Sequence, residues 1–348
     1  MTARSRFLRS LGLGAALLLL VHVGLCLSDV QPLVRFGGWR LARKFDLLCE
    51  ARARGPIEVL GIGPSYMDTG FDAQAFEQET GQAAFNFGVG GVDLWTQSVL
   101  LRDVLLPLVE PGTLFWSVHD SPFVNRRMTF QYRDAPFVRD GLGRERARAA
   151  VWKRRLPANY RRPLAQWVEG LEEPAANPID AWGHTANPST LRGDREDDGE
   201  EDEAGGVDAL NLTPEDTQAL TEEAFAAFEE ALAHAHARGT RVFVLLMPFH
   251  RSAFEARGWY RRRARARRFG DYRERLLAIA ERQGALFVNR RWDEELSEDD
   301  DLFFDYRHLN AVGARRFTAE LVRLWRGEEV PAEWHEAWSR TERRATGR

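Results

Sequence analysis

The sequence predicts an α/β protein: a doubly wound, mainly parallel five-stranded sheet carrying one large helical and disordered insertion, preceded by a membrane-spanning helix. Three observations carry this expectation. Five short apolar runs read as buried strands, stretches with apolar residues at three- and four-residue spacing fall between them, and a charge-free apolar run opens the chain. Strands that are apolar throughout need cover on both faces; the intervening helices supply it, which is the pattern of a parallel sheet.

The first element reads as an address. Arg4, Arg6 and Arg9 precede residues 11–27, LGLGAALLLLVHVGLCL. As a helix this run spans roughly 25 Å at about 1.5 Å per residue, close to the thickness of a bilayer core. The arginines stay cytoplasmic by the positive-inside bias, which sends everything after Ser28 across the membrane. A cleaved signal peptide is the competing reading, but no small-x-small site lies near Leu27, and Leu25 ahead of Cys26 does not suit a lipoprotein signal. A buried core helix is disfavoured, because the run is apolar on every face. The expected organisation is a cytoplasmic stub and anchor over 1–28, a juxtamembrane linker over 29–55, an α/β domain over 56–330 and a tail over 331–348.

The strands are expected at 57–62 (IEVLGI), 84–87 (AFNF), 113–118 (TLFWSV), 241–247 (RVFVLLM) and 285–288 (ALFV). Helical spacing covers 72–80, 92–109, 213–238, 271–283 and 310–326. Thr213, Pro214 and Asp216 mark a helix start, and Gly239 and Gly284 stand where helix stops belong. Residues 121–212 are too long for a connection and form the insertion, with a helix expected over 143–172 and an acidic tract, DREDDGEEDE at 194–203, expected to be disordered. A basic loop is expected over 251–268, where Arg251, Arg257, Arg261, Arg262, Arg263, Arg265, Arg267 and Arg268 face one acid, Glu255. It reads either as a solvated face or as a contact for anionic headgroups or an anionic envelope polymer.

Composition removes several function classes. With 48 basic against 52 acidic residues the net charge is −4, which argues against general nucleic-acid binding. Only Lys44 and Lys153 among the basic residues are lysine. Two cysteines, Cys26 and Cys49, draw no disulfide framework and no metal-finger spacing, and the histidines show no ligand pattern, so neither a metal nor another cofactor is implied. With 21 Phe and 11 Trp the core needs no such support.

In a sheet of this kind ligands bind beyond the carboxyl ends of the strands, so the chemistry is sought in the loops there. GIGPSYMD follows the first strand and places Ser65 at a glycine-rich turn before a helix; NFGVGG, residues 86–91, follows the second. SVHDSP follows the third with His119 and Asp120, and DLFFDYRHLNAVGA precedes the final helix with Asp305 and His308 three apart. A serine hydroxyl needs a base within hydrogen-bond reach, and the base needs a group that holds its ring and favours its cation. His308 and Asp305 fill those roles, and the backbone N–H groups of Ser65 and Gly91 can face a developing oxyanion, where one donor is worth about 3 to 4 kcal/mol. Taken singly, a serine in a glycine turn is more often structural, and an Asp-x-x-His is more often a helix cap with a surface histidine. The order of the whole set argues otherwise. Gly61-x-Gly63 as a nucleotide-phosphate loop lacks the third glycine at the fingerprint spacing.

The four loops resemble the blocks of the SGNH (GDSL-like) hydrolase and acyltransferase superfamily, which supply Ser, Gly, Asn and Asp-x-x-His in that order. Gly63-Pro64-Ser65 stands for Gly-Asp-Ser, Asn86 to Gly91 has the spacing of the second block, and DYRHLN followed by LNxxGA matches the last. The resemblance spans roughly 57–120 and 241–325. It implies a flavodoxin-like fold, acyl transfer through a covalent serine ester, Ser65, His308 and Asp305 as the triad, and amides of Ser65 and Gly91 in the oxyanion hole. The third block departs, with His119-Asp120 in place of Asn-Asp, so an imidazole N–H replaces the side-chain donor. The anchor, the altered serine turn and the insertion are similar to the membrane-anchored subgroup of teichoic acid D-alanyl transfer and alginate O-acetyltransferase proteins. That likeness implies an envelope-glycan substrate, an integral membrane acyltransferase as partner and an extracytoplasmic domain. The rival expectation is a noncatalytic envelope protein that keeps the fold to bind glycan or scaffold a complex, and the His119 substitution is its best support.

Overall fold

The computed structural model describes residues 38–119, 179–186, 214–251, 263–291 and 294–328. The anchor over 11–27, the helix over 143–172, the acidic tract and the tail lie outside the described residues. Among the described residues no helix is long and apolar enough to cross a membrane.

The elements in chain order are α1 (Gly38–Arg54), β1 (Val59–Gly63), α2 (Ser65–Gly70), α3 (Ala73–Thr80), β2 (Ala84–Gly88), α4 (Leu94–Leu100), α5 (Leu106–Val109) and β3 (Thr113–Ser117). After the insertion come α6 (Pro214–Ala237), β4 (Arg241–Leu246), α7 (Arg263–Arg282), β5 (Leu286–Asn289), α8 (Glu294–Ser297) and α9 (Ala311–Trp325). The sheet is five-stranded in the order β2-β1-β3-β4-β5, and every pair is parallel. This is the doubly wound arrangement with its topological switch between β1 and β3, where the chain reverses its direction across the sheet.

Alternation along the strands builds two cores. In β4, Val242, Val244 and Leu246 face one layer, while Phe243 and Leu245 face the other; Leu114 and Trp116 of β3 oppose Phe115 in the same way. The first layer is closed by α1, α4–α5, α6 and α7, whose Leu41, Leu105, Phe228 and Leu276 are fully buried. The second is closed by α2, α3 and α9, with Met67, Phe76 and Phe317 inside it. Each such aliphatic or aromatic side chain removed from water contributes about 1.5–3 kcal/mol.

Helix stops and starts fall where expected. Gly239 and Gly284 take φ of 76° and 71°, the left-handed conformation that favours glycine, and α6 opens on Pro214. Three expectations are corrected. The helix over 92–109 begins at Leu94, behind an Asp93 side chain that accepts from the Thr96 amide, and passes through a π turn at Leu101–Leu105. Pro107 is the cause: it has no N–H to give the preceding turn, and its ring would meet a carbonyl there, so the widened turn accommodates it. The expected basic loop is helical from Arg263 onward, because alternating Arg and Ala are good helix formers with no breaker among them. Much of the expected linker is α1, which buries Leu41, Lys44, Leu47 and Leu48 against the domain.

Candidate active site

Ser65 is the first residue of α2, directly beyond β1 at the topological switch. The strand end that delivers it has no room for a side chain at either glycine. A Cβ on Gly61 would lie 2.6 Å from the Phe71 ring, and one on Gly63 would lie 2.8 Å from both Cβ and the carbonyl oxygen of Ser117. Pro64 caps the helix in an extended conformation (φ −76°, ψ −164°). Ser65 is half-exposed while its neighbours on both sides, Pro64 and Tyr66, are buried. Ser65 is therefore the one residue of this buried stretch that keeps some contact with solvent.

The loop before α9 meets it. His308 Nε2 lies 2.7 Å from Ser65 Oγ, and His308 Nδ1 lies 2.7 and 2.9 Å from the two Asp305 oxygens. With Nδ1–H donated to the carboxylate, Nε2 is the nitrogen that can accept the serine proton. The three-residue spacing works because the segment closes on itself: Phe304 N–H donates to the His308 carbonyl, and Phe303 bridges Leu309 antiparallel. Asp305 Oδ1 accepts from the amides of Arg307 and His308 as well. Burial alone would raise the Asp305 carboxyl, but the hydrogen bond and charge of His308 and those two amides outweigh it and hold it at about 2. It is ionised at any pH near neutrality.

Asn310 and Gly313 explain the continuation LNxxGA. The Asn310 side chain accepts from the amides of Val312 and Gly313, capping α9, and donates to the Asp301 carbonyl. A Cβ on Gly313 would come within 2.1 Å of the Leu302 carbonyl oxygen. The pair seats the first turn of α9 against the loop that carries the imidazole.

Gly91 lies in the loop after β2 with φ of 75°, and the neighbouring Gly90 would bring a Cβ to 3.7 Å from Ser65 Cβ, so this loop borders the serine. His119 follows β3 and is nearly buried; its Nδ1 lies 3.1 Å from the Tyr66 hydroxyl. Asp120 lies outside the described residues. The structure thus brings Ser65, His308 and Asp305 into one hydrogen-bonded chain, sets the Gly91 loop alongside, and ties His119 to the residue after the serine.

Several residues to which the sequence assigned no role hold this arrangement from behind. Asn86, fully buried in β2, donates to the carbonyls of Met67 and Phe71, both 2.7 Å away, and accepts from the Gly88 amide. Asp68 of α2 accepts from Lys44 Nζ at 2.6 Å and from Thr185 Oγ at 2.7 Å. Thr185 belongs to a clip, residues 179–186, in which Ile179 bridges Thr185 and the Trp182 carbonyl accepts from the Asn86 amide on the edge strand. Only the rarity of lysine in an arginine-rich chain marked Lys44. Among the described residues no group of three His, Cys, Asp or Glu could hold a metal ion.

No family model matches the chain, and no curated protein matches it. Solved structures similar to it include the acetylxylan esterase Axe2 from Geobacillus stearothermophilus, at 14% identity and a TM-score of 0.37 over 76% of this chain and 92% of that one. A catalytic mutant of Axe2 gives 11% and 0.39 over the same shares. The lipase/acylhydrolase from Enterococcus faecalis gives 11% and 0.37 over 79% of this chain and 98% of that one. Likeness at this level carries no functional weight; the chemistry has to come from the side chains themselves.

Proposed function

We propose that this protein is an SGNH-type serine esterase or O-acyltransferase, anchored in the membrane by residues 11–27 and acting outside the cytoplasm on an acyl ester of an envelope glycan. One observation carries the chemistry: the hydroxyl of a half-buried serine lies 2.7 Å from an imidazole whose other nitrogen is held by a carboxylate. Ser65 Oγ attacks the ester carbonyl carbon as its proton passes to His308 Nε2. The tetrahedral oxyanion forms beside the Ser65 and Gly91 amides, with His119 as a third donor, while Asp305 stabilises the imidazolium. The C–O bond to the leaving alcohol breaks as His308 returns the proton to it, leaving acyl-Ser65. Water, or a sugar hydroxyl, then gives its proton to His308 and takes the acyl group, restoring the serine. The resemblance of the four loops and the apolar amino-terminal run support the envelope setting and an integral membrane acyltransferase as donor partner.

The test uses the full chain in detergent with a small acetyl ester and an organophosphonate probe. The parent is expected to turn over the ester and take the label, and Ser65→Ala to lose both, with turnover falling by about 10⁶-fold. Undiminished labelling and turnover in the variant would remove Ser65 from the mechanism. The His119 substitution favours a second reading, a noncatalytic glycan-binding scaffold. Glycan binding kept by a Ser65→Ala, Asp305→Ala, His308→Ala variant, with no hydrolysis by the parent, would select it.

A further inference from the structure

Tyr66 follows the serine on the first turn of α2, and its buried ring meets aromatic groups from three separate loops. His119, after β3, stands edge-on with ring centroids 5.2 Å apart, and Phe249, after β4, does the same at 5.2 Å. His308 lies at 5.8 Å, tilted by 46°. Phe249 is itself fixed, with the Arg291 guanidinium 3.4 Å from its centroid. The phenol ring therefore neighbours both imidazoles of the site, and its hydroxyl reaches one of them, His119 Nδ1 at 3.1 Å.

That contact answers a problem which an imidazole brings and an amide does not. An asparagine side chain always presents N–H donors, whereas a neutral imidazole has a single N–H whose position depends on what its two nitrogens meet. A phenol hydroxyl that donates to Nδ1 leaves the ring hydrogen on Nε2. Donation from Nδ1 to the phenol oxygen would instead leave Nε2 bare, an acceptor that repels an oxyanion.

We propose that Tyr66 is a positioning residue: it donates its hydroxyl hydrogen to His119 Nδ1 and so holds His119 as the Nε2–H tautomer, the form able to donate to an oxyanion. This rests on the esterase reading for its purpose, though not for its geometry. Tyr66→Phe removes the hydroxyl and keeps the ring packed between His119, Phe249 and His308, so the change isolates the hydrogen bond.

The experiment is a double-mutant cycle on the full chain, read with a small acetyl ester. With His119 present, Tyr66→Phe is expected to lower kcat about tenfold with little change in KM, a fraction of the 10²- to 10³-fold that an oxyanion donor is worth. In a His119→Asn background, where the donor needs no tautomer, the same change is expected to cost less than twofold. Equal losses in the two backgrounds would mean that Tyr66 merely packs, and would overturn the proposal. Long-range proton–nitrogen NMR of histidine-labelled protein reads the tautomer independently of turnover, with the His119 signals assigned by their loss in His119→Asn. The parent is expected to show Nε2–H, and Tyr66→Phe a mixture. A parent spectrum showing Nδ1–H or imidazolium refutes the proposal whatever the activity. A parent that hydrolyses no ester yet shows Nε2–H, lost in Tyr66→Phe, refutes the esterase reading and leaves the tautomer standing.

Discussion

Two polar chains end on the six residues of α2, and they differ in almost every physical respect. On the front, Ser65, His308 and Asp305 stay in contact with solvent; the histidine and aspartate side chains are 20% and 34% exposed. On the rear, Lys44 and Asp68 form an ion pair at 0% and 3% exposure, closed off by Asn86 and Thr185. On the proposed esterase reading, the front couples a nucleophile to a base and would have to admit a substrate and move a proton. The rear admits nothing. A dehydrated ion pair is costly to assemble, and it is tolerated when each charge is paired and hydrogen-bonded, as both are here. What it gives in exchange is position: it joins α1, α2, β2 and the clip at 179–186, and so fixes the element on which Ser65 stands. Small misplacements of a reacting group are expensive in rate, so on the proposed reading the buried side of the helix has a stake in the chemistry of the exposed side.

If that division holds, variants on the two sides should fail in different ways. The largest effect is expected from Asp305→Asn, which keeps the shape and removes the carboxylate that holds the His308 Nδ1–H; kcat on a small ester should fall by about 10⁴-fold. A loss smaller than tenfold would break the comparison on the front side. Next comes Lys44→Ala, which strands the Asp68 carboxylate and should destabilise the fold by about 3–5 kcal/mol in denaturant unfolding. Stability equal to the parent's would show that the rear pair anchors nothing. Thr185→Val removes one hydrogen bond to the same carboxylate and is expected to cost about 1.5–3 kcal/mol; a loss as large as that of Lys44→Ala would place the anchor in the clip instead of α1.

The smallest effect expected is a dependence on acid. The Asp305 carboxyl lies at about 2 in the folded protein against an ordinary 3.8, so its ionised form stabilises the fold above 3.8 and that contribution is lost as the pH falls through about 2. Stability measured across this window should drop less in Asp305→Asn than in the parent. Equal slopes would mean that the carboxylate gains nothing from its neighbours.

Local pattern reached far into this molecule. The five strands were legible from runs such as TLFWSV because a strand buried on both faces is apolar at most positions, and the helix ends from Gly239 and Gly284 because left-handed stops favour glycine. The π turn was not, since a single Pro107 inside an apolar stretch can kink, end or widen a helix. The linker reading failed at α1 because its apolar stripe is short and Lys44 interrupts it. In the site, Ser65, Asp305 and His308 were visible because each sits in a short motif with its own turn chemistry.

By itself, then, the sequence determined which segments become strands and helices and which loops carry a hydroxyl, an imidazole and a carboxylate, since those depend on residues a few positions apart. Only the tertiary structure decided that Lys44 would neutralise Asp68, that Thr185 would reach back over 117 positions to the same carboxylate, and that Tyr66 would meet His119. Such contacts follow from how helix faces pack across a twisted sheet, and no periodicity along the chain encodes which two distant side chains that packing will bring within hydrogen-bond range.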